Sequence, residues 1–428
     1  MKHINLADIN KIVRSLLAEL IPTFQKHGDK LLFALALAVL ATALFRLGGG
    51  KAISHAVAPS IVFTQWWEDD PGKDALLKLI KEFESLHGGI KIVLNTRSYE
   101  DLRSGLFSPD YTSPGDILAL DPLWVPELIK REIIENSRQE AYKTPFLSFI
   151  SVLYYNVEIL REAGYIRPPK SRGEFLNCAR ALAGREENRP GFAPDKVYGL
   201  AMDGNSSRGV YDDVYPWIWA AGAQLIKDGK PAADSRPIAE SLSFLATLNS
   251  EGLIHPGTEA SGNAGEKMEN FVTGRAAFMI APAGYIRLVK ERMGDGAFGI
   301  SSVPTPDNFA GKLLYGTAGW TVAVNPASAH KEEARLFVSF LAEKAPFLSD
   351  ETKAIPGIDT PPATDLLYSK AWDIVIAGEA AQDFSRLTGE HELEQIFREE
   401  LSALFEGQYS PAEAAAAIQK RWVEVHKP

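Results

Sequence analysis

From Ile61 onward, apolar positions recur with two periods that alternate along the chain. The run IVFTQWW (61–67) is β-branched and aromatic and reads as a strand. Lys73–Leu86 repeats its apolar positions at helical spacing, opened by Asp70-Pro71 and closed by Gly88-Gly89. Ile90–Leu94 and Asp116–Leu120 read as further strands, and Trp124–Lys130 as a short helix. This β-α-β-α order predicts a largely parallel sheet with helices on its faces. In such sheets ligands bind at the carboxyl ends of the strands. That is where Trp66-Trp67-Glu68-Asp69-Asp70 and Asp121 fall.

The stretch FISVLYYNVEIL (149–160) organises the pattern further on. An apolar, strand-type half runs directly into a helical half (Val157, Leu160, Ala163) that ends at Gly164, with Pro168 and Pro169 beyond. Taken alone it is an ordinary βα unit. A second such stretch, Gly316–Val324, makes the two a matched outward and return crossing between lobes. Between them the pattern predicts helices at Ser171–Ala183, Val214–Ala221, Ile238–Ser250 and Met268–Val272. Strands are predicted at Val197–Ala201, Ala276–Ile280 and Phe298–Ser301. Helices at His330–Glu343, Glu392–Leu404 and Pro411–His426 follow, with a proline-rich break at Ile355–Pro362.

Before Ile61 the pattern is different. Ile4, Leu6, Ile9, Ile12, Val13, Leu16, Leu17 and Leu20 share one helical face over residues 1–30, a leader with an amphipathic helix. Leu31–Phe45 is then apolar apart from Thr42. A spanning helix needs about 20 apolar residues, so 31–50 serves as a transmembrane anchor if Arg46 snorkels. A cleaved signal ending at Ala56-Val57-Ala58 is the rival reading. Lys2, Lys11, Arg14, Lys26 and Lys30 precede the apolar run, which places the leader in the cytosol. On either reading the rest of the chain is exported, to the periplasm or the outer face of the cytoplasmic membrane.

Composition narrows the chemistry. A net charge of −10 over 428 residues argues against nucleic acid as a partner. The single cysteine, Cys178, excludes an internal disulfide and any CxxC metal or redox site, and its place in a helical pattern reads as a buried hydrophobe. No HExxH, GxSxG or Walker sequence occurs. Gly294–Gly299 matches GxGxxG, but it follows a helix and opens a strand, so it reads as a helix stop and turn. No cofactor and no metal is expected, and the chain is not expected to be an enzyme. What remains is aromatic residues set beside polar ones at predicted strand ends and helix starts: Trp66, Trp67, Tyr99, Trp124, Tyr155, Tyr215, Trp217, Tyr285 and Trp320 among them. Aromatic faces stack on the C–H faces of sugars while neighbouring carboxylates and amides take hydroxyls.

Several blocks in order resemble a known family: IVFTQWWEDD, GDILALDPLWVPELIKREII, SVLYYNVEILREAGYIRPPK, YPWIWAAGAQLI, NFVTGRAAFMIAPAGYI, GTAGWTVAV and EGQYSPAEAAAAIQKRW. They are similar to the extracellular solute-binding proteins that serve ABC sugar importers, of the maltose-binding-protein type. The resemblance implies a two-lobed α/β periplasmic-binding-protein fold (type II) with crossover hinge strands, preceded here by one N-terminal hydrophobic helix. It implies an N-lobe from 60–155 and 318–356 and a C-lobe from 156–317 and 357–428. By motif position, Trp66, Trp67 and Asp70 line the N-lobe wall, with Asp121 as a hydroxyl acceptor. Tyr155 and Asn156 stand at the hinge, Tyr215 and Trp217 face the cleft from the C-lobe, Tyr285 stacks on the ligand, and Gly319-Trp320 marks the return hinge. The implied partners are a small carbohydrate and the membrane subunits of an ABC permease, with the protein itself a monomer held at the membrane through its N-terminal segment. The family's lipid-attachment cysteine is missing, which leaves a protein anchor or release. Three alternatives stay open: a membrane-anchored sensory receptor of the same fold, a binding protein for a non-sugar solute, and an exported carbohydrate-active enzyme using Asp70 and Asp121 as a carboxylate pair.

Overall fold

The computed structural model describes residues 59–425 apart from 68–72, 112–114, 135–146, 184–195, 204–208, 228–229, 257–263, 353–364 and 382–389. The leader, the apolar run 31–45, the cleavage site at Ala58 and Asp70 lie outside the described residues. Among the described residues no helix is long and apolar enough to cross a membrane.

Strand β1 (Ser60–Gln65) alternates so that Ile61 and Phe63 are fully enclosed. Helix α1 (Lys73–Leu86) buries Ala75, Leu76, Leu79, Ile80 and Phe83, one helical stripe, against it. Strand β2 (Lys91–Thr96) lies parallel to β1 on one side and β3 (Ile117–Leu120) parallel on the other. Helix α2 (Tyr99–Phe107) was not expected from the pattern, because Glu100, Asp101, Arg103 and Ser104 break up its apolar positions. Ser98 starts it by accepting the Asp101 amide at 3.0 Å. A 3-10 turn (Pro122–Trp124) then leads into α3 (Val125–Lys130).

Strand β4 (Leu147–Asn156) changes partners halfway along. Its first residues, Leu147–Ile150, pair antiparallel with Thr317–Trp320 of the returning strand. From Ser151 it pairs instead with residues 278–282, and on its other side with 298–301. Helices α4 (Val157–Glu162) and α5 (Arg172–Ala183) follow, then β5 (Tyr198–Ala201), a π turn (Val210–Val214) and α6 (Tyr215–Ala220). Next come α7 (Arg236–Ser250), α8 (Ala264–Val272), β6 (Ala276–Pro282), α9 (Ile286–Met293) and β7 (Phe298–Ser301). Gly294 caps α9 at φ 87° and Gly296 turns at φ 80°, the helix stop and turn expected of that glycine motif.

The chain returns through β8 (Thr317–Val324), which also changes partners: Thr317–Trp320 pair with β4 and Thr321–Val324 with β3. The order is β2-β1-β3-β8-β4-β6-β5, with β7 beside β4. The sheet is therefore parallel at its two ends and antiparallel across its middle, not largely parallel. The reason is connectivity: among the described residues the outgoing strand β4 and the returning strand β8 link the ends, and they run in opposite directions.

Two long helices close the first half, α10 (Lys331–Glu343) and α11 (Ala345–Thr352). Helices α12 (Leu366–Ala377), α13 (Glu390–Phe405) and α14 (Pro411–Val425) complete the second. Buried side chains divide at β4. One core holds Ile61 to Phe149 and Trp320 to Leu348. The other side has two clusters, one running from Leu153 to Trp422 and one built on Ile150, Tyr154, Met279 and Tyr368. Each side encloses apolar area of its own, at roughly 1.5–3 kcal/mol for each fully buried Leu, Ile or Phe. Among the described residues, β4 and β8 pass between the two sides.

Candidate functional site

The carboxyl ends of β1, β2 and β3 emerge at one edge, because the strands are parallel and in register. Trp66 follows β1, Tyr99 follows β2, and Asp121 with Trp124 follows β3. These side chains meet. Trp66 lies edge-on to Tyr99 at 5.5 Å between ring centres and 5.3 Å from Trp124, and Tyr99 is 4.7 Å from Trp124. Trp66, Trp124 and Asp121 are all buried, and Tyr99 is half-buried. The Asp121 Oδ1 accepts the Leu123 amide at 3.0 Å, which starts the 3-10 turn, and its Oδ2 accepts the Tyr99 hydroxyl at 3.1 Å. The result is an aromatic cluster with a carboxylate at its base, on the side of the molecule that parallel-strand geometry assigns to ligands.

Trp67 takes the opposite direction. Its ring lies flat on Trp320 of β8, 4.3 Å between centres and 13° between planes, and Phe149 adds a tilted contact to Trp320 at 5.5 Å. Trp67 is 1% exposed and Trp320 3%, so this stack belongs to the first core and ties β1 to the two crossing strands. Gly319 beside it pairs through its backbone with Ser148 of β4.

Tyr155 and Asn156 lie at the far end of β4, several residues past the change of partners at Ile150–Ser151, so they do not stand at the crossing itself. The Asn156 Oδ1 accepts the Ile159 amide at 3.1 Å and caps α4, the usual use of Asn at that position. Tyr155 packs close over Gly299, where a Cβ would fall 2.3 Å from its hydroxyl oxygen. Trp217 is fully buried between Phe175 (5.2 Å) and Phe244 (4.8 Å), inside the second core and not on an opening. Its α6 neighbours Ile218 and Ala220 are equally enclosed, which a helix apolar all round requires. Tyr215 is buried too, but it touches Phe397 of α13 at 5.1 Å. Tyr285 sits on the turn into α9, half-buried against the cluster of Ile150, Tyr154 and Ile286.

Helix α13 brings a residue to the aromatic cluster from the other core. It packs on the 3-10 turn of Pro122–Trp124, and Leu123 touches both cores. Glu394 of α13 binds Arg103 of α2 at 2.6 Å, with side chains 5% and 10% exposed. Pattern reading missed both. Arg103 lies in the helix the pattern did not show, and Glu394 stands between Leu393 and Ile396 like any charge beside an apolar stripe. Burial, opposed by Arg103 and Arg398, pushes the Glu394 carboxyl up to about 8.

Two other buried polar groups have structural work. Lys267 of α8 donates to Asp213 Oδ2 and to the Ile280 carbonyl, each at 2.9 Å, and Asp213 also accepts the Asp203 amide at 2.8 Å. This brace ties the π turn to β6. Burial pushes Asp213 up to about 7 against the pull of Lys267. Cys178 is fully buried in α5, and burial pushes its thiol up to about 12, which leaves it a poor nucleophile. Among the described residues no group of His, Cys, Asp and Glu side chains has the arrangement to hold a metal ion.

The fold is a two-lobed α/β one, its lobes linked by crossing strands. The chain belongs to the bacterial extracellular solute-binding protein family, whose model matches residues 69–346. A "Probable ABC transporter-binding protein" of Deinococcus radiodurans is 28% identical over 202 residues. That stretch is 46% of each protein, so the match spans less than half of the relative's length. The GacH receptor of Streptomyces glaucescens, solved unliganded and with acarbose, superimposes with a TM-score of 0.71 over 86% of this chain and 98% of its own, at 16% identity. Maltose-bound MalE3 of T. maritima gives 0.68 at 18% identity, over 86% of this chain and all of its own (100%). A solute-binding protein of Agrobacterium radiobacter K84 in complex with ribitol gives 0.62 at 20% identity, over 86% and 98%. At these identities the likeness carries the fold, the maltose-binding-protein type.

Proposed function

We propose that this chain captures a sugar or oligosaccharide between its lobes and delivers it to the membrane subunits of an ABC permease. The observation that carries the reading is the cluster of Trp66, Tyr99, Trp124 and Asp121 at the carboxyl ends of parallel strands, facing a helix of the other lobe. Stacking faces with a buried acceptor suit the apolar C–H faces and hydroxyls of a sugar. Similar folds have been solved with acarbose, maltose and ribitol, which supports a polyhydroxylated solute. The mechanism is a population shift: a solute that touches both lobes only when they are closed favours the closed form. Within the expected site, Trp66, Asp121 and Tyr215 are the residues we assign to the solute side, with Asp70 kept as a further N-lobe contact. Trp67, Gly319 and Trp320 support the crossing. The chain acts as a binding protein and not as an enzyme, works as a monomer outside the cytoplasm, and is held there by residues 31–50.

A thermal-shift screen of the protein against mono- and oligosaccharides tests the reading, with amino acids, polyamines and phosphate as controls. A solute at 100 times its dissociation constant adds about 2.7 kcal/mol and raises the melting temperature by roughly 2–4 °C for a chain of this size. A shift confined to one sugar class is the expected result. A shift from amino acids or polyamines alone would keep the family and overturn the sugar assignment.

A further inference from the structure

We propose that Tyr99 is the ring on which a cyclic sugar stacks, and that Asp121 positions that ring by holding its hydroxyl. The proposal rests on the sugar reading above. It adds which residue of the cluster makes the contact and which kind of sugar suits it.

The three rings of the cluster differ in what they can offer a solute. Trp66 is 7% exposed and Trp124 2%, so their faces are spent on packing. Tyr99 is half-buried and is the ring of the three with surface to give. Trp66 meets it at 83° and Trp124 at 48°, so the two indoles support the phenol ring from within the first core. A ring backed by packing and still partly open is what stacking on a sugar's C–H face requires.

The chain fixes this ring at both ends. The Gln65 Nε2 of β1 donates to Thr96 Oγ1 of β2 at 2.8 Å, and the Arg97 amide donates to the Gln65 carbonyl at 3.0 Å, which ties the two strand ends together. Ser98 then caps α2, so Tyr99 opens the helix on a set backbone. At its tip the hydroxyl donates to Asp121 Oδ2, while Asp121 is itself held at Oδ1 by the Leu123 amide. A hydrogen bond to a carboxylate is among the stronger ones, and it selects one orientation of the phenol. Two carboxylate oxygens offer about four acceptor positions, so Asp121 can hold Tyr99 and still take a solute hydroxyl.

The ring also stands close to the second lobe. Tyr99 and Arg103 are four residues apart on α2 and share a face. Arg103 binds Glu394 of α13, whose neighbours Leu393 and Ile396 belong to the other core. Tyr99 is therefore one helical turn from a contact between the lobes.

The stacking contact also selects a shape. A pyranose ring gathers several C–H groups on one flat face, and an aromatic ring covers that face whole. An open-chain polyol carries its hydroxyls along a flexible chain and has no such face. Tyr99 accordingly favours a cyclic sugar over an acyclic one.

The test is calorimetric titration of the full-length chain with maltose, chitobiose, ribitol and any sugar that shifts its melting temperature in the screen above. Tyr99→Leu, Tyr99→Phe and Tyr99→Trp are titrated beside the wild type, and the melting temperature of each is measured. We expect a cyclic sugar to bind the wild type, Tyr99→Leu to weaken it roughly tenfold, and Tyr99→Trp to restore it to within about threefold. Tyr99→Phe, which keeps the ring but frees its tip, should weaken it roughly threefold. A merely structural ring would lower the melting temperature of Tyr99→Leu and leave the affinity of the folded protein unchanged. That result, or an equal loss in Tyr99→Leu and Tyr99→Trp, overturns the proposal and leaves the sugar reading standing. Binding of ribitol with no cyclic sugar overturns it too, and keeps a polyhydroxylated solute. A wild type that responds to no sugar at all sinks the sugar reading, and the stacking with it.

Discussion

Trp67 and Trp320 show how the same aromatic residues read differently before and after their contacts are known. On sequence, both look like sugar-stacking residues whose truncation weakens binding by roughly 1–3 kcal/mol with the fold intact. In the structure they cover each other, and each is buried against the crossing strands. Truncating a buried Trp typically costs about 3–5 kcal/mol. Trp320→Ala is therefore expected to lower stability first, with any loss of affinity following from loosened strands. Urea unfolding of Trp67→Ala, Trp320→Ala and the double variant checks this. The stack predicts a coupling of about 0.5–1.5 kcal/mol between them, and additive losses would count against it. Trp66 and Asp121 stand at the carboxyl ends of parallel strands, a position that pattern reading can locate. It could not locate Trp217 in the second core, since an apolar helix start and a cleft-facing one carry the same letters.

At the scale of elements, the crossing of β4 and β8 depends on a glycine. Gly316 accepts the Ser151 amide just before β8 begins, and Trp219 of α6 lies against it so closely that an added Cβ would fall 1.8 Å from the ring. Trp219 is buried among Tyr211 and Tyr215. Gly316→Ala should cost about 1–3 kcal/mol by overpacking, seen as a drop in melting temperature. An unaffected melting temperature would mean that the ring or the strand yields freely there. Most strands and the longer helices were legible in the sequence because each carries an unbroken period of its own, as in Lys73–Leu86 or Ala276–Ile280. Helix α2 was not, since only Leu102, Arg103 and Leu106 are buried on it and one of those is charged. The antiparallel middle of the sheet was not legible either. A strand's direction relative to distant strands follows from the chain's path, which local periodicity does not record.

For the whole molecule, the contact between lobes couples closure to protons. Glu394 is hydrated when the lobes part, near its ordinary 4.5, and burial on closing pushes it up to about 8 despite Arg103 and Arg398. The closed form therefore binds a proton more readily than the open form between those values. A raised value in one form stabilises that form fully below the lower value, and the advantage fades as pH rises through the upper one. The ligand-free chain should accordingly be more closed at pH 6 than at pH 9, with the radius of gyration increasing across that interval. Glu394→Gln, which cannot ionise, should flatten the profile. A wild-type radius that is constant from pH 6 to 9, or that falls as pH rises, would show that Arg103 holds the carboxylate charged in the closed form. The same linkage reaches the solute: a solute that favours the closed form gains from whatever else favours closure, so apparent affinity should fall as pH rises toward 8. Titrating one bound sugar by calorimetry at pH 6 and pH 8 reads that coupling directly, and in Glu394→Gln the two affinities should converge.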